Sequence, residues 1–591
     1  MKNLLVILAA VVVVALPFLF RRPPDAGTWR KGDPVLVAVS PHNEAIRLEF
    51  ADAFSRWHHE TYGQPVRIEW ISIGGTTEIM RYLVSEYVGS AQAWWRREGH
   101  DWPPGATDRL LDDSFDPSTP PPGADGDALR RWEELRDLWT AFRATDDPAA
   151  ASSRIDIFFG GGTYDHGVAA RQGLVVNPWP DGAPAGLFED EEGRVVIPRS
   201  LSGEVWRDDL YFGTVLSTFG ICCNPDRLRD LGFDEGWLPQ RWDDLADPRL
   251  RGHVGLTDPT KSGSVAKAFE MIVQYKCRAH MRAAGYDDAT VARCEAAIAA
   301  AKLPPGEVPE GVPADYQREV EAGFFEGVNL LRRIGANARY FTDSASRVPI
   351  DVSGGSAAVG IAIDFYARFQ AECSRAPDGT PRMVYVTPAG GSSVSADPIS
   401  LLRGAPHREL AVRFIEFTLG REGQKLWNSR VGTPGGPTRF ALRRLPIRRD
   451  FYPASGVPEW EAFADGIAAN ASDPVAAPSV NPYVIAEDFV YEPRWTGRHF
   501  GILRDLVRAM CLDSGDELRS SWAAIQKAGG PDANPDAIDA IERMPDQPIP
   551  FTWSSSITAY RKVPRMDRLR EWTAFFRRQY GEAARLAKSK P

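Results

Sequence analysis

The stretch at residues 242–269, WDDLADPRLRGHVGLTDPTKSGSVAKAF, determines how we interpret the rest of the chain. Residues 253–256 predict a short strand that ends at an Asp-Pro pair. Ser262, Gly263 and Ser264 follow, and we expect a helix to begin near Val265. Hydroxyl groups and free backbone N–H groups at a helix start can bind an anion or a carbonyl oxygen. Plain capping of the helix explains the same residues, so the rest of the chain must decide between the two.

The length and composition of the chain limit the possible classes of protein. A chain of 591 residues is too long for one compact core, so we expect two or more domains. The net charge of −10 argues against a nucleic-acid binder, and no arginine-rich groove with interleaved aromatic residues stands out. The 47 prolines and 52 glycines predict many turns and loops rather than long helical bundles.

The amino terminus is typical of an exported protein. An apolar run at residues 4–20 follows Lys2 and precedes Arg21 and Arg22. The run has no clean small-x-small cleavage site and no cysteine that could carry a lipid, and roughly 17–25 apolar residues are needed to span a bilayer. We therefore expect residues 1–24 to be retained as a membrane anchor, with cleavage as a signal peptide as the alternative. The predicted location is periplasmic or at the cell surface.

The six cysteines are compatible with disulfides in an exported chain. Cys277 and Cys294 lie in two helix-like segments joined by a turn, which makes a bridge between them plausible. Cys222 or Cys223 could pair with Cys373 or with Cys511, and the spacing does not decide between them. No CxxC or Cys/His metal spacing occurs, so no metal site is predicted.

Strands alternate with helices in the first part of the chain. Residues 34–40, 66–71 and 155–159 predict strands, and each is followed by a polar or glycine-rich loop and a helix. This alternation indicates a mainly parallel α/β sheet, whose ligands bind beyond the carboxyl ends of the strands. Residues 87–153, rich in Pro, Asp and Trp, interrupt the pattern, and we interpret them as an insert that packs onto its host.

A second α/β region follows a long apolar run at residues 212–224, which we expect to cross from one domain to the other. Strand character returns at residues 398–402, followed by helices, and the tail is basic and helical. The predicted organisation is a first lobe at 33–215 and 391–500, a second lobe at 216–390, and a mostly helical carboxyl-terminal extension at 501–591.

Four segments of the chain resemble the extracellular solute-binding proteins of ABC transporters, in the branch that binds iron, thiamine, polyamines and phosphonates. Their order and spacing are more specific than any of them alone. They are VLVAVSPHNEAIRLEFADAFSRWHHETYG, WDDLADPRLRGHVGLTDPTKSGS, GGSAAVGIAIDFYARF, and DPISLLRGAPHRELAVRFIEFTLGREGQKLW followed by GTPGGPTRF.

The resemblance implies a two-lobed α/β fold of the type 2 periplasmic-binding class, in which hinge closure clamps a ligand between the lobes. It also implies an ABC transporter permease as partner and no cofactor. Transferred to this chain, the residues implied to face the cleft are Ser40, His42, Gly75, Thr76, Gly161, Thr163, Tyr164, Ser262, Gly263, Ser264, Asp364 and Tyr366.

The implied ligand is small and anionic, such as a phosphonate or a sugar phosphate, because the Ser262–Gly263–Ser264 turn suits a negative group. Iron-binding members carry two adjacent tyrosines where this chain has Phe365 and Tyr366. A ferric ion needs anionic oxygen ligands, and phenylalanine supplies none. Tyr366, Asp364 and His42 nevertheless keep a ferric-ion-binding protein open as an alternative.

No enzyme is predicted. The sequence lacks a GxSxG elbow, an HExxH helix, a Walker loop and a GxGxxG turn after a strand. The insert and the carboxyl-terminal extension keep a second alternative open, a membrane-anchored ligand sensor or interaction module built on the same fold.

Overall fold

The computed structural model describes residue 27 and residues 29–112, 115–145, 147–453 and 455–588. The predicted signal or anchor at residues 1–24 therefore lies outside the described residues. Within these ranges, no helix is both long and apolar enough to cross a membrane.

The strands are, in chain order, β1 (Val35–Val39), β2 (Arg67–Ile71), β3 (Ile157–Phe159), β4 (Val175–Val176), β5 (Ser200–Leu201), β6 (Glu204–Val205), β7 (Phe212–Ser217), β8 (Phe219–Cys223), β9 (Val254–Thr257), β10 (Ala338–Thr342), β11 (Val359–Ile363), β12 (Val384–Val386), β13 (Ser395–Leu402) and β14 (Leu445–Pro446).

The α-helices are, in chain order, α1 (Glu44–Tyr62), α2 (Thr76–Arg97), α3 (Ala106–Arg109), α4 (Gly126–Ala144), α5 (Thr163–Arg171), α6 (Pro225–Asp230), α7 (Gly263–Ala283), α8 (Asp288–Ala301), α9 (Tyr316–Ala336), α10 (Arg347–Ser353), α11 (Asp364–Cys373), α12 (Arg408–Leu419), α13 (Arg421–Asn428), α14 (Pro458–Ala468), α15 (Pro482–Asp488), α16 (Pro493–Thr496), α17 (Phe500–Val507), α18 (Gly515–Lys527), α19 (Pro535–Glu542), α20 (Trp553–Ile557) and α21 (Arg565–Lys588).

The first lobe is built on a sheet of order β14-β7-β13-β3-β1-β2, with β4 paired to β13. Strands β2, β1 and β3 are parallel to one another, as the alternating pattern predicts. Strand β13 is antiparallel to β3 and β7, and β14 is antiparallel to β7. The expectation of a mainly parallel sheet is therefore wrong for this half. The reason is that the antiparallel strands leave for the second lobe or return from it, rather than following a helical crossover.

The second lobe is built on a sheet of order β10-β9-β11-β8-β12. Strands β9, β10 and β11 are parallel, and β8 runs antiparallel to β11 and β12. Thr218 alone separates β7 in the first sheet from β8 in the second, so the predicted crossing at residues 212–224 is confirmed. The chain returns between β12 and β13. Two α/β lobes joined by crossing segments are the fold class that the sequence predicts.

The insert packs onto the first lobe. Helix α2 runs to Arg97, so the predicted start of the insert at Tyr87 lies inside this helix. The Tyr87 hydroxyl lies within hydrogen-bond distance of two carbonyl oxygens, those of Leu174 (3.0 Å) and Arg403 (2.7 Å), and connects α2 to the sheet. Leu135, Leu138 and Phe142 of α4 are buried in the same apolar cluster as α2. Burial of these residues is the physical reason that the insert stays on its host.

The carboxyl-terminal extension packs on the second lobe rather than forming a core of its own. The Cys511 sulfur lies against Gly335 at the end of α9, where a Cβ atom would come within 2.7 Å of it. Arg333 of α9 donates to the carboxylate of Glu542 in the extension at 2.7 Å. Trp553 and Trp572 of the extension are buried in the same cluster as the second sheet.

The predicted disulfides do not form. All six cysteines lie in the described ranges, and all are free. The Cys277 thiol points toward the Val320 carbonyl oxygen on α9 (3.9 Å) rather than toward Cys294 on α8. Cys222 and Cys511 likewise face the carbonyl oxygens of Gly360 and Leu331. Burial raises the pKa of these thiols, which makes them inert apolar side chains.

Candidate functional site

The two lobes touch where the loops after β2 and β9 meet. A Cβ atom at Gly75, the N-cap of α2, would lie 3.0 Å from the carbonyl oxygen of Lys261. A Cβ atom at Gly263 would lie 3.4 Å from Thr76 Oγ1. Gly161 has a φ of +101° and packs against the Thr76 methyl group, so a side chain there would be strained and would clash. Gly75 and Gly263 thus allow the two lobes to approach closely, whereas Gly161 allows a close contact within the first lobe.

The Ser262–Gly263–Ser264 turn lies at this contact and begins α7. Ser262 is the N-cap, and its hydroxyl accepts from the Val265 N–H at 3.4 Å. The hydroxyls of Ser262 and Ser264 lie 3.1 Å apart and are half-buried. The helix begins two residues earlier than the sequence indicates. Capping and an anion-binding turn are therefore compatible at the same helix start.

Asp165 faces the same turn from the first lobe. Its Oδ2 would lie 3.7 Å from a Cβ atom at Gly263. Burial raises the pKa of Asp165 to about 6, although the nearby Arg504 guanidinium acts in the opposite direction. Asp165 was not among the predicted residues, although it follows directly on Thr163 and Tyr164 in the first turn of α5. An acidic residue at a helix start usually indicates capping, so its type gave no signal.

Thr163 and Tyr164 contribute differently. Thr163 is half-buried at the start of α5. Tyr164 is 41% exposed, and its ring centroid lies 4.8 Å from that of Phe500, directly before the extension. A Cβ atom at Gly501, the first residue of the extension, would lie 3.5 Å from the Tyr164 hydroxyl. Tyr164 therefore lies at a contact with the extension.

A second polar cluster lies near the hinge and centres on Arg444, whose side chain is fully buried. Its Nη2 donates to Asp397 Oδ2 and to Ser217 Oγ, both at 2.6 Å. Its guanidinium carbon lies 4.1 Å from the centroid of the Phe365 ring in the second lobe. Arg444 thus connects the crossing strand β7, the return strand β13 and the start of α11.

Ser40 and His42 reach this cluster from the loop after β1. The His42 N–H donates to Ser40 Oγ at 3.1 Å, and both side chains are buried. His42 Nε2 lies 3.4 Å from Arg444 Nη1. Burial lowers the pKa of His42, so the imidazole is neutral near pH 7. His42 Nδ1 and Arg444 Nε are buried without a hydrogen-bond partner among the described residues.

Asp364 and Tyr366 lie on the opposite side of the cluster. Asp364 Oδ2 accepts from the N–H (3.0 Å) and the hydroxyl (3.2 Å) of Thr218, and its Oδ1 accepts from the Phe365 N–H at 2.7 Å. Its carboxylate is therefore used to fix the crossing segment. The Tyr366 ring lies against that of Phe365 at a tilt of 40°, with ring centroids 4.1 Å apart, and burial raises the pKa of its hydroxyl.

The structure thus brings ten of the twelve predicted residues into two groups, and Thr163 and Tyr164 belong to neither. Gly75, Thr76, Gly161, Ser262, Gly263 and Ser264 meet at the mouth of the cleft. Ser40, His42, Asp364 and Tyr366 surround Arg444 near the hinge. Among the described residues, no group of three or more His, Cys, Asp or Glu side chains is arranged to hold a metal ion.

Two arginines of the extension, Arg504 and Arg508, also lie at this contact and were not among the predicted site residues. Arg504 donates to the carbonyl oxygens of Pro259 (2.8 Å) and Thr260 (3.2 Å) in the second lobe. It also donates to Thr77 Oγ1 in the first lobe at 2.8 Å. Arg508 pairs with Asp258 at 2.7 Å. The extension therefore covers the turn that the sequence singled out, and it bridges both lobes there.

Comparison with known proteins gives a family for part of the chain. Residues 184–448 match the family described as bacterial extracellular solute-binding proteins. An uncharacterized protein of Haemophilus influenzae is 24% identical over 271 residues, which cover 46% of this chain and 60% of that protein. The aligned region thus spans less than two thirds of this relative.

Three solved structures are similar at low sequence identity. The periplasmic binding protein AfuA of Actinobacillus pleuropneumoniae, with fructose-6-phosphate bound, is 16% identical (66% of this chain, 81% of that chain, TM-score 0.40). The apo ferric ion-binding protein A of Pasteurella haemolytica is 12% identical (80% and 97%, TM-score 0.38). The spermidine/putrescine-binding protein PotD of Streptococcus pneumoniae is 12% identical (81% and 99%, TM-score 0.40).

The matched family is one of binding proteins, not of enzymes, in agreement with the sequence motifs. The match includes the stretch at 242–269 and most of the return segment. Over residues 184–448, the chain is thus similar to bacterial extracellular solute-binding proteins.

Proposed function

We propose that this protein captures a small anionic solute, such as a phosphonate or a sugar phosphate, between its two lobes outside the cytoplasm. The observation that carries the proposal is the position of the Ser262–Gly263–Ser264 turn, which meets the first lobe at Gly75 and Thr76. A helix start offers backbone donors and a favourable dipole to an anion. In this position, a bound anion contacts both lobes and favours their closure.

The charges around the cleft support an anion over a metal ion. Among the described residues, the Lys261 ammonium next to the turn has no ion pair, and Arg504 lies beside it. Near the hinge, the Arg444 guanidinium lies 3.4 Å from His42 and forms an ion pair with Asp397. A ferric ion at His42 would therefore meet a fixed positive charge, and Asp364 is committed to Thr218. This arrangement argues against the ferric-ion alternative.

The closed contact at the mouth implies that the lobes must separate for a ligand to enter. Thr218 and the segment between β12 and β13 are the places where the chain passes between the sheets, so a hinge movement is expected there. Delivery of the ligand to an ABC transporter permease, with the amino-terminal segment holding the protein at the membrane, completes the proposed function.

A ligand screen on the purified chain from Asp33 onward tests this proposal. A ligand that binds only the folded state raises the melting temperature. We expect a shift with phosphonates or sugar phosphates, and none with ferric ion, thiamine or polyamines. No shift with any anion would contradict the proposal, and a shift with ferric ion alone would establish the ferric alternative.

Variants at the turn test whether it forms the site. Replacing Ser262 and Ser264 by alanine should weaken the binding of the anion by about 1–3 kcal/mol, because two hydroxyl donors are lost. Ser344 and Ser346 form a similar hydroxyl pair, 3.0 Å apart on an exposed loop, and their replacement by alanine is the matched control. Equal effects of the two double variants on affinity would remove the turn from the site.

A further inference from the structure

The extension forms a second, strongly basic pocket at the outer side of the lobe contact. The pocket has a volume of about 730 Å³. Its cationic lining residues are Arg81, Lys261, Arg508, Arg565, Arg570 and Arg577. Arg81 belongs to α2 in the first lobe, Lys261 precedes α7 in the second lobe, and the four other arginines belong to the extension. Asp513 is the one carboxylate that lines this pocket within the described residues.

The cations of this pocket differ in how firmly they are paired. Arg508 and Arg565 have close carboxylate partners, Asp258 at 2.7 Å and Asp505 at 2.9 Å. The main role of these two arginines is therefore structural, since their ion pairs stabilise the wall of the pocket. Asp505 also pairs with Arg568, so one carboxylate is shared by two guanidinium groups.

The other four cations have no close carboxylate partner. The nearest carboxylates of Arg81, Arg570 and Arg577 lie at 4.0, 3.4 and 3.5 Å, and these side chains are 63%, 71% and 55% exposed. Arg577 also donates to the backbone carbonyl oxygen of Asp513 at 2.7 Å, which holds its guanidinium at the pocket wall. Lys261 has no ion pair among the described residues. Exposed pairs of this kind contribute little to stability, and a guanidinium has five N–H donors, so a ligand can recruit these groups at small cost.

The pocket also has an apolar wall. Met566 is 72% exposed, the largest exposure among the large hydrophobic side chains described, and Leu569 and Ala574 lie beside it. The volume falls in the range of sites for small organic molecules and is far larger than a single phosphate requires. A ligand of matching chemistry has several negative charges at one end and an organic group at the other.

We propose that this pocket is a binding site for an organic anion with two or more negative charges, of the class of organic di- and triphosphates. The site lies outside the cleft and shares only Lys261 with the edge of the cleft, and it does not depend on the function proposed for the cleft. An anion held by Arg81, Lys261 and the extension joins the first lobe, the second lobe and α21. Binding there therefore favours the closed arrangement and couples to whatever binds in the cleft.

Isothermal titration calorimetry of the full chain with ATP and with tripolyphosphate tests the site. The variant R570A/R577A should weaken binding of both probes by about tenfold or more, since two charge-assisted contacts are lost. Arg578 and Arg585 are exposed residues of the same helix outside the pocket, so R578A/R585A removes the same charge and should change the affinity by less than about twofold. ATP should bind more tightly than tripolyphosphate because its nucleoside can contact Met566 and Leu569.

The cleft variant S262A/S264A separates this site from the cleft. It should leave ATP binding unchanged, whereas it should weaken the ligand of the cleft. The proposal is overturned if neither probe binds, if the two arginine double variants weaken binding equally, or if S262A/S264A abolishes ATP binding and R570A/R577A does not. The last result would place the polyanion in the cleft and would support the function proposed there.

Discussion

The hinge side and the mouth of the cleft hold the two lobes together in different ways. Near the hinge, Arg444 is fully buried and satisfies Asp397 and Ser217 inside the protein. At the mouth, Arg504 reaches in from the extension and donates to backbone carbonyls of one lobe and to Thr77 of the other. The hinge cluster uses residues of the strands that cross between the lobes. The mouth depends on an added segment, so we expect the stability of the fold and the opening of the cleft to be controlled separately.

The hinge cluster is the place where a single change should have the largest effect. Replacing Arg444 by leucine leaves the buried Asp397 carboxylate without its partner, and we expect the free energy of unfolding to fall by about 3–5 kcal/mol. Chemical denaturation measures this change. Arg439 is a matched control because its side chain is 63% exposed and lies 3.9 Å from Asp52. If R444L is as stable as R439L, the hinge cluster does not hold the lobes.

A pH titration distinguishes the mouth from the hinge. The pKa of Asp165 is about 6 in the folded protein, against an ordinary value of 3.8 for an aspartate side chain, so the folded state prefers the protonated carboxyl group. Its contribution to stability is therefore complete below pH 3.8 and is lost as the pH rises through about 6. At pH 7, D165N should be more stable than the natural chain by on the order of 2–3 kcal/mol, and at about pH 4 the two should be similar.

The D165N substitution also tests how the affinity of the cleft for an anion depends on pH. An ionised Asp165 faces the start of α7, so the affinity for an anion should rise as the pH falls through about 6, and D165N should remove this dependence. Asp516 is 94% exposed, and D516N serves as the control. A stability difference between D165N and the natural chain that stays constant from about pH 4 to 7 would contradict the assignment of Asp165.

Loss of the contact between the extension and the mouth of the cleft should have the smallest effect on stability. It should have a clear effect on how far the lobes separate. R504M removes three hydrogen bonds to both lobes, and we expect a loss of about 1–2 kcal/mol in the free energy of unfolding. Small-angle X-ray scattering should show a larger radius of gyration, because the lobes separate more readily. Arg498 is exposed, and R498M is the control. An unchanged radius for R504M would show that the extension does not restrain closure.

The sequence predicted the elements that have strong local patterns. Strands β1, β2, β3 and β9 and the long run that becomes β7 and β8 each lie within two residues of their predicted positions. Gly75, Gly161 and Gly263 were expected at one end of the strands, and the structure brings them together. These predictions depend on periodicity and on turn chemistry, which act over a few residues.

The parts that could not be predicted depend on contacts between distant segments. Arg444 lies in the run ALRRLPIRR, where nothing distinguishes a buried arginine from exposed ones. Cys277 and Cys294 looked suited to a bridge, but Cys277 turns toward α9, and only the helix packing decides this. Arg504 lies 245 residues from Pro259 along the chain. The resemblance to the family contains no information on an extension that the family usually lacks.

The close packing of Cys511 against Gly335 indicates how much of the chain must be present for this protein to fold. The helix that ends at Ala336, one residue after this glycine, presents a face with no room for a side chain, and that face fits the extension. If the chain were shortened at residue 448, where the family match ends, this helix face would be exposed to solvent. The exposed apolar surface would then promote aggregation. The stretch that matches other binding proteins in sequence and the stretch that must fold together therefore have different ends.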